Sequence, residues 1–238
     1  MTIYLLRLLA VLSVISVGAC SSATTSTKNN APQILTMGDS LLAWNRNSGR
    51  SISDAVEKGL GIAVVDRSRS GAFMRYSLPI TGALGADINK QYVSGDWDWV
   101  ILNGGGNDLW LGCGCMKCDR KLEKLIAKNG QSGTVPNLVS KIRSEGAQVI
   151  YVGYLRTPGV TSPVEHCTDE GEEFERRLER LSKSDRGIHF LSLAGMVPEG
   201  SRDYHWVDLV HPSVLASEEI GERITNIILN NQLADYRP

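Results

Sequence analysis

Three residues of the kinds used in acyl transfer lie far apart in this 238-residue sequence. Ser40 lies in the stretch LTMGDSLLAW, whereas Asp208 and His211 lie close together in VDLVHPS. A serine hydroxyl is a weak nucleophile until an imidazole accepts its proton, and that imidazole needs an acceptor on its other nitrogen. The residue types therefore suggest Ser40 as nucleophile, His211 as general base and Asp208 as the group that orients His211.

Two further residues are candidate donors to the oxyanion that forms when a serine attacks a carbonyl group. Gly71 lies in SRSGA, and Asn107 lies in GGGND. The N–H groups of Ser40 and Gly71 and the side-chain amide of Asn107 would form this oxyanion hole, in which loss of one donor typically costs about 3 to 4 kcal/mol. All three residues also have an ordinary structural interpretation: Ser40 as a helix cap, Gly71 as a turn glycine with positive φ, and Asn107 as a turn former.

Elements must bring these residues together, and five apolar runs of strand length alternate with helical patterns along the chain. The runs occupy residues 33–38, 61–68, 97–105, 147–154 and 187–194. They are rich in Val, Ile and Leu without clean alternation, which is typical of strands buried on both faces of a parallel sheet. We predict an α/β fold, a three-layer αβα sandwich with a five-stranded parallel sheet.

Helices are predicted between these strands and at the end of the chain, over residues 51–61, 134–146, 168–185 and 212–233. Thr134 and Thr168 are predicted to cap the second and third helices. Ser40, Gly71 and Asn107 each follow one of the first three runs, and the aspartate and histidine of VDLVHPS precede the last helix. Because ligands of such folds bind beyond the carboxyl ends of the strands, we expect all five residues at that edge.

The motifs that carry these residues resemble a known family. GDSL, the glycine of SRSGA, GGND and DLVH are similar, in this order, to the four sequence blocks of the GDSL or SGNH hydrolases. The similarity extends over residues 34–213. It implies a flavodoxin-like fold, the roles given above for Ser40, Asp208 and His211, and an oxyanion hole from Ser40, Gly71 and Asn107.

The resemblance also implies a range of activities. Members of this family are esterases, lipases, thioesterases, lysophospholipases and carbohydrate O-acetyl esterases that need no metal and no other cofactor. The main hypothesis is a serine hydrolase that cleaves carboxylic esters or thioesters through an acyl-enzyme, and the alternative is a carbohydrate or peptidoglycan O-acetyl esterase. GDSLLAW and GGGND look most like the thioesterase and lysophospholipase-like bacterial branch, but the insertion LWLGCGCMKC departs from it.

The N-terminus predicts export. One basic residue, Arg7, precedes an apolar stretch that ends in Val-Gly-Ala-Cys at Cys20. This pattern resembles the lipobox of bacterial lipoproteins, which implies a signal peptide over residues 1–19, lipidation of Cys20 and a flexible tether through residue 32. Residues 33–238 would then form a single hydrolase domain, held on a membrane of the cell envelope and facing the periplasm. An uncleaved anchor and a plain signal peptide remain alternatives.

The balance of charge indicates the kind of partner. The chain has 25 basic and 26 acidic residues and a net charge of −1, so no basic surface for nucleic acid is indicated. We expect a small acyl ester or thioester substrate, from a lipid or an acylated glycan, and membrane contact through the lipid anchor alone. The sequence does not specify an oligomeric state.

Four cysteines besides Cys20 are disulfide candidates. Cys113, Cys115, Cys118 and Cys167 can form two disulfides in three possible connectivities, as expected in an oxidising compartment. Two alternatives remain: a zinc site that uses CGCMKC with His166 or Cys167, and thiol exchange by Cys115 and Cys118. They define a hypothesis of another class, a zinc-binding or redox module with a vestigial hydrolase site.

Three tryptophans, Trp44, Trp110 and Trp206, lie near the predicted strand-end loops. Each could form a wall of an acyl or sugar pocket, and each could equally belong to the core.

Overall fold

A five-stranded sheet organises the part of the chain that the computed structural model describes, residues 33–159 and 162–235. The strands are β1 (Ile34–Met37), β2 (Val64–Asp66), β3 (Trp99–Leu102), β4 (Gln148–Val152) and β5 (Ile188–Leu191). All neighbours are parallel, and the order is β2-β1-β3-β4-β5. The predicted five-stranded parallel sheet and α/β fold are confirmed, and each strand lies inside its predicted run.

Alternating residues of the central strands divide the core into two layers. Leu35 and Val100 belong to the layer that contains residues of the helices after β3 and β4, whereas Ile34 and Ile101 belong to the layer beneath the first and last long helices. Every residue of β1 and β3 is buried, because helices cover both faces of the sheet. This arrangement explains why these strands read as continuous apolar runs.

Eight helices occur in the described residues, and four of them correspond to the four helical segments predicted above. They are α1 (Ser40–Ala43), α2 (Ile52–Leu60), α3 (Pro79–Thr81), α4 (Gly106–Cys113), α5 (Asp119–Leu125), α6 (Thr134–Ser144), α7 (Thr168–Ser182) and α8 (Val214–Asp235). Helices α2, α6, α7 and α8 were predicted. Short 3₁₀ turns occupy Arg46–Ser48, Ile88–Lys90 and Glu165–Cys167, and a π turn occupies Gly82–Ala86.

The predicted caps Thr134 and Thr168 are wrong. Both threonines are the first residues of their helices, and the cap positions belong to Gly133 and Cys167, neither of which makes a side-chain capping bond. The two hydroxyls donate instead to carbonyl oxygens of preceding segments, at 3.2 Å for Thr134 and 2.8 Å for Thr168. They therefore join each helix to the chain before it.

The four cysteines form two disulfides, Cys113–Cys118 and Cys115–Cys167. The first closes the connection between α4 and α5, and the second ties that connection to the residue that precedes α7. Cys115 and Cys118 are buried, so the connection is part of the core.

The predictions for the N-terminal segment lie outside the described residues. These are the signal peptide over residues 1–19, the lipidated Cys20 and the tether through residue 32. Among the helices from residue 33 onward that the structure describes, none has the length and apolar character needed to cross a membrane.

Candidate active site

Ser40 lies at the point where the first strand gives way to a helix. Strand β1 ends at Met37, and Asp39 is the N-cap of α1, where its Oδ1 accepts a hydrogen bond from Leu41 N–H at 3.0 Å. Ser40 is the first residue of the helix. Because Asp39 supplies the cap, the Ser40 hydroxyl is available for another partner.

That partner is His211, which the loop before α8 brings to Ser40 across 171 residues of sequence. The His211 Nε2 atom lies 2.9 Å from Ser40 Oγ, and its Nδ1 atom lies 2.6 Å from Asp208 Oδ2. Asp208 Oδ1 also accepts the N–H groups of Val210 and His211, each at 3.0 Å. The structure thus brings Ser40, His211 and Asp208 into one hydrogen-bonded chain.

The charge on Asp208 fixes the tautomer of its neighbour. Partial burial acts to raise the pKa of Asp208, but the hydrogen bonds from the His211 ring and from two backbone N–H groups outweigh it and hold this pKa below 3.8. Asp208 is therefore ionised at neutral pH and accepts the Nδ1–H of His211. The Nε2 atom is then left as an acceptor toward the Ser40 hydroxyl.

Trp44 stacks on the imidazole of His211. The two ring centroids are 3.7 Å apart and the planes differ by 4°. The backbone N–H of Trp44 donates to the Ser40 carbonyl oxygen at 2.9 Å, so helix α1 positions both Ser40 and the indole ring that stacks on His211. Trp206 packs edge-on against Trp44 with centroids 5.5 Å apart and remains 47% exposed.

The three candidate oxyanion donors lie on adjoining segments. The N–H of Ser40, at the first position of α1, has no intrahelical acceptor. Gly71 has a φ of +76°, which favours glycine, and its N–H makes no hydrogen bond to the described residues. Asn107, in the first turn of α4, donates from Nδ2 to the carbonyl of Ala72 at 2.9 Å and keeps a second N–H.

Tyr154 belongs to the site and was not predicted from the sequence. Its hydroxyl donates to Asp39 Oδ2 and accepts the N–H of Gly106, so it connects the end of β4 to the starts of α1 and α4. Only its place after a strand could have indicated this role. Burial raises the pKa of Asp39 to about 6, against hydrogen bonds from Tyr154 and Leu41 N–H that lower it.

Asp108 binds backbone rather than a reacting group. Its carboxylate accepts the N–H groups of Met74 and Arg75 at 2.8 and 3.0 Å. Burial raises the pKa of Asp108, although these backbone bonds lower it. The residue thus ties α4 to the segment that follows Gly71.

A cavity of about 140 Å³ adjoins Ser40 and His211. Asn107 and Tyr154 also contribute to its lining. Most of the remaining wall is apolar and comes from α1, α4, the segment after β4, and the region around the start of α7: Leu41, Leu109, Trp110, Leu155, Val164, Cys167 and Phe174. The Ser40 hydroxyl therefore faces a partly enclosed, mainly apolar space.

The other histidines do not reach Ser40, since among the described residues only His211 bonds to its hydroxyl. His189 Nε2 lies 3.1 Å from Gln148 Oε1, and burial lowers the pKa of this histidine. His205 is buried, and burial lowers its pKa as well. Neither His189 nor His205 therefore takes part in the contact with the Ser40 hydroxyl.

One group of possible metal ligands lies beside the cavity. A nitrogen of His166 and the sulfurs of Cys115 and Cys167 lie within 4.8 Å of one another. The two sulfurs are joined in a disulfide, and a thiolate is the form that binds zinc. In the oxidised protein these residues therefore do not offer the ligand set that the zinc hypothesis requires.

Comparison with solved structures gives the same fold at low sequence identity. A protein described as an SGNH hydrolase, from Slackia heliotrinireducens, is 18% identical with a TM-score of 0.58, over 83% of this chain and 98% of that one. A psychrotrophic esterase from Pseudoalteromonas sp. is 18% identical with a TM-score of 0.57, over 83% and 97%. An acetyl xylan esterase from the rumen bacterium Butyrivibrio proteoclasticus is 13% identical with a TM-score of 0.56, over 86% and 65%.

Comparison with curated proteins gives no significant match. A family model, however, covers most of the chain. The model of the GDSL-like Lipase/Acylhydrolase family matches residues 36–218, a range that contains all four motifs and the whole sheet except two residues of β1. The chain therefore belongs to the GDSL-like lipase/acylhydrolase family.

Proposed function

We propose that the protein cleaves carboxylic esters or thioesters through a covalent acyl-enzyme on Ser40. The observation that carries this proposal is the unbroken hydrogen-bond chain from Asp208 through His211 to the Ser40 hydroxyl, beside an apolar cavity. Neutral His211 is positioned to accept the serine proton, and ionised Asp208 stabilises the imidazolium that results.

Acylation follows from this geometry. Ser40 Oγ attacks the carbonyl carbon while its proton passes to His211 Nε2, and the carbonyl π electrons move to oxygen. The N–H groups of Ser40 and Gly71 and the free N–H of Asn107 Nδ2 stabilise this oxyanion. The intermediate then collapses, the bond to the leaving oxygen or sulfur breaks, and His211 returns the proton to that leaving group.

Deacylation repeats the same steps with water. His211 removes a proton from a water molecule, whose oxygen attacks the acyl carbon, and the proton then returns to Ser40 Oγ as the acid departs. No metal or redox group takes part in this proposal.

Ser40→Ala tests the proposal directly. We expect hydrolysis of p-nitrophenyl acetate and butyrate to fall by at least about 1000-fold, because the nucleophile is lost while binding groups remain. Circular dichroism and thermal unfolding should match those of the wild type, since Ser40 does not cap α1. Wild-type rates in a folded Ser40→Ala protein would refute the assignment.

A carbohydrate O-acetyl esterase is the second candidate. Trp206 is 47% exposed beside Trp44 and His211, and such an aromatic face at the mouth of a site can pack against a sugar ring. The similarity to an acetyl xylan esterase adds to this possibility. Trp206→Ala should then weaken hydrolysis of acetyl xylan more than that of p-nitrophenyl acetate; equal effects on both would count against the glycan substrate.

We also propose that the protein is exported and lipidated at Cys20 in the cell envelope. The support is the apolar N-terminal stretch ending in Val-Gly-Ala-Cys and the presence of paired disulfides, which persist in oxidising compartments. Mass measurement under non-reducing conditions tests the alternative of a zinc-binding or redox module, because it distinguishes two intact disulfides from bound zinc or free thiols. Two intact disulfides and no bound zinc are expected.

A further inference from the structure

The local structure does not require a glycine at position 171. Gly171 lies inside α7, where the backbone is helical and does not require positive φ. Glycine destabilises a helix interior relative to alanine. A Cβ at this position would meet only the Arg156 guanidinium, at 3.1 Å, a group that also pairs with Glu175 at 3.0 Å. Neither backbone conformation nor close helix packing explains why the side chain is missing.

The space left by Gly171 is part of the cavity that adjoins Ser40. Gly171 and its neighbours Cys167 and Phe174 line it together with Ser40 and His211. A group attached to Ser40 Oγ and extending through this cavity would therefore approach α7. Any side chain at residue 171 would take up part of that space.

The wall that contains Gly171 is held firmly. The disulfide between Cys115 and Cys167 joins the start of α7 to the connection that follows α4. Phe174, one helical turn after Gly171, is 1% exposed, and its ring contacts Tyr151 edge-on with centroids 6.4 Å apart. The cavity therefore cannot lengthen readily by movement of this wall.

The acyl part of the substrate fits this enclosed space better than the alcohol part does. The acyl group stays on Ser40 after the first step, whereas the alcohol must leave past His211. On that side the loop carries Trp206 and Val207, which are 47% and 82% exposed, so it is open to solvent. The cavity has a limited volume of about 140 Å³, so a long acyl chain would have to extend beyond it.

We propose that Gly171 determines acyl-chain length, and that the substrates are esters with short acyl chains. This inference rests on the proposed function, because it requires that the acyl group is carried by Ser40. It assigns specificity to a residue that belongs to none of the four family motifs.

The test measures kcat/KM for p-nitrophenyl acetate, butyrate, hexanoate and decanoate with the wild type, Gly171→Ala and Gly171→Leu. The wild type should favour butyrate and hexanoate over decanoate. Since one methylene group in an apolar pocket changes kcat/KM by about 10- to 200-fold, Gly171→Leu should lower the hexanoate-to-acetate ratio at least about 10-fold. Gly171→Ala should lower it less.

Gly112→Leu is the matched control. Gly112 is also a helical glycine, but it is exposed outside the cavity, and a Cβ there would meet the end of Lys121 at 3.2 Å and the backbone oxygen of Asn107 at an ordinary contact distance of 3.8 Å. Its hexanoate-to-acetate ratio should equal that of the wild type. If Gly171→Leu does not fold, Gly171→Ala decides the question, because alanine favours the helix and adds only one methyl group.

Two results would overturn the inference. One is an unchanged hexanoate-to-acetate ratio in folded Gly171 variants. The other is an effect of these variants on acetate esters that differ in the alcohol, with no effect on the acyl series. The Ser40→Ala variant distinguishes a failure of the Gly171 assignment from a failure of the proposed function. If Ser40→Ala loses activity and the Gly171 variants keep the wild-type hexanoate-to-acetate ratio, only the assignment of Gly171 is rejected.

Discussion

At the scale of single residues, the candidate site depends on contacts with residues outside the four sequence motifs, such as Tyr154 and Trp44. Ser40, Asp208 and His211 could be selected from the sequence because their types and order match a known set of blocks. Tyr154 and the stacking of Trp44 on His211 could not, because each depends on contacts between distant segments. Such contacts follow from the sheet order and not from any local pattern.

Asp39 gives the site a pH-dependent cost in stability. Its pKa of about 6 in the folded protein exceeds the ordinary value of 3.8, so the folded state binds more protons between these pH values. The contribution of Asp39 to the free energy of unfolding therefore falls as pH rises from about 4 to 6. At 1.36 kcal/mol for each pKa unit, the full loss is about 3 kcal/mol, and it is present above that pH range. Asp39→Asn removes this cost.

The variant should therefore gain stability relative to the wild type on going from pH 4 to pH 7.5, by up to about 3 kcal/mol. Urea unfolding of both proteins at the two pH values measures the difference. The comparison at pH 4 is the internal control for changes in hydrogen bonding. A constant difference at both pH values would show that the burial of Asp39 does not have this effect.

Trp44 should influence turnover through the position of His211. Aromatic pairs of this kind contribute about 0.5 to 1.5 kcal/mol, so we expect Trp44→Leu to lower kcat by about two- to tenfold with a smaller change in KM. Trp44→Phe keeps an aromatic face and should restore most of the rate. Equal losses in the two variants would contradict a role for aromatic stacking on His211.

At the scale of elements, the sequence predicted the buried strands and the long amphipathic helices, because both have a clear hydrophobic period. It did not predict α4 or α5. Helix α4 begins in a run of three glycines and ends in the cysteine-rich insertion, a composition typical of loops. Its formation depends on tertiary bonds, such as those of Asp108 to the segment after Gly71.

The two disulfides should differ in their effect on stability. The Cys115–Cys167 bridge spans 52 residues and the Cys113–Cys118 bridge spans 5. Loop-closure entropy gives about 4 kcal/mol for the longer loop and about 2 kcal/mol for the shorter one. We therefore expect the double variant C115S/C167S to be about 2 kcal/mol less stable than C113S/C118S.

Urea unfolding of the two double variants under non-reducing conditions measures this difference. Each variant serves as the control for the other, since both remove one bridge and introduce two serines. A larger loss in C113S/C118S would contradict the expectation that the long-range bridge is the main restraint.

At the scale of the whole molecule, the proposed lipid anchor and the hydrolase domain have separate functions. Cys20 lies 20 residues before Ser40, at the start of the predicted tether that ends at residue 32. We expect Cys20→Ser to move the protein from the membrane fraction to the soluble fraction of cells that produce it, with specific activity toward p-nitrophenyl butyrate unchanged. Cys118→Ser, which leaves the N-terminal signal intact, is the control. Membrane association that persists in Cys20→Ser would favour an uncleaved anchor.

The position of His211 also has a consequence for how the enzyme is made. Ser40 is synthesised early, and its strand β1 lies between β2 and β3 in the sheet, but its proposed base arrives 171 residues later, just before α8 packs against α2. A nascent chain that has completed only its first four strands already carries the proposed nucleophile but lacks the imidazole proposed to activate it. The order of synthesis itself therefore keeps the hydrolase latent until the last segment has docked.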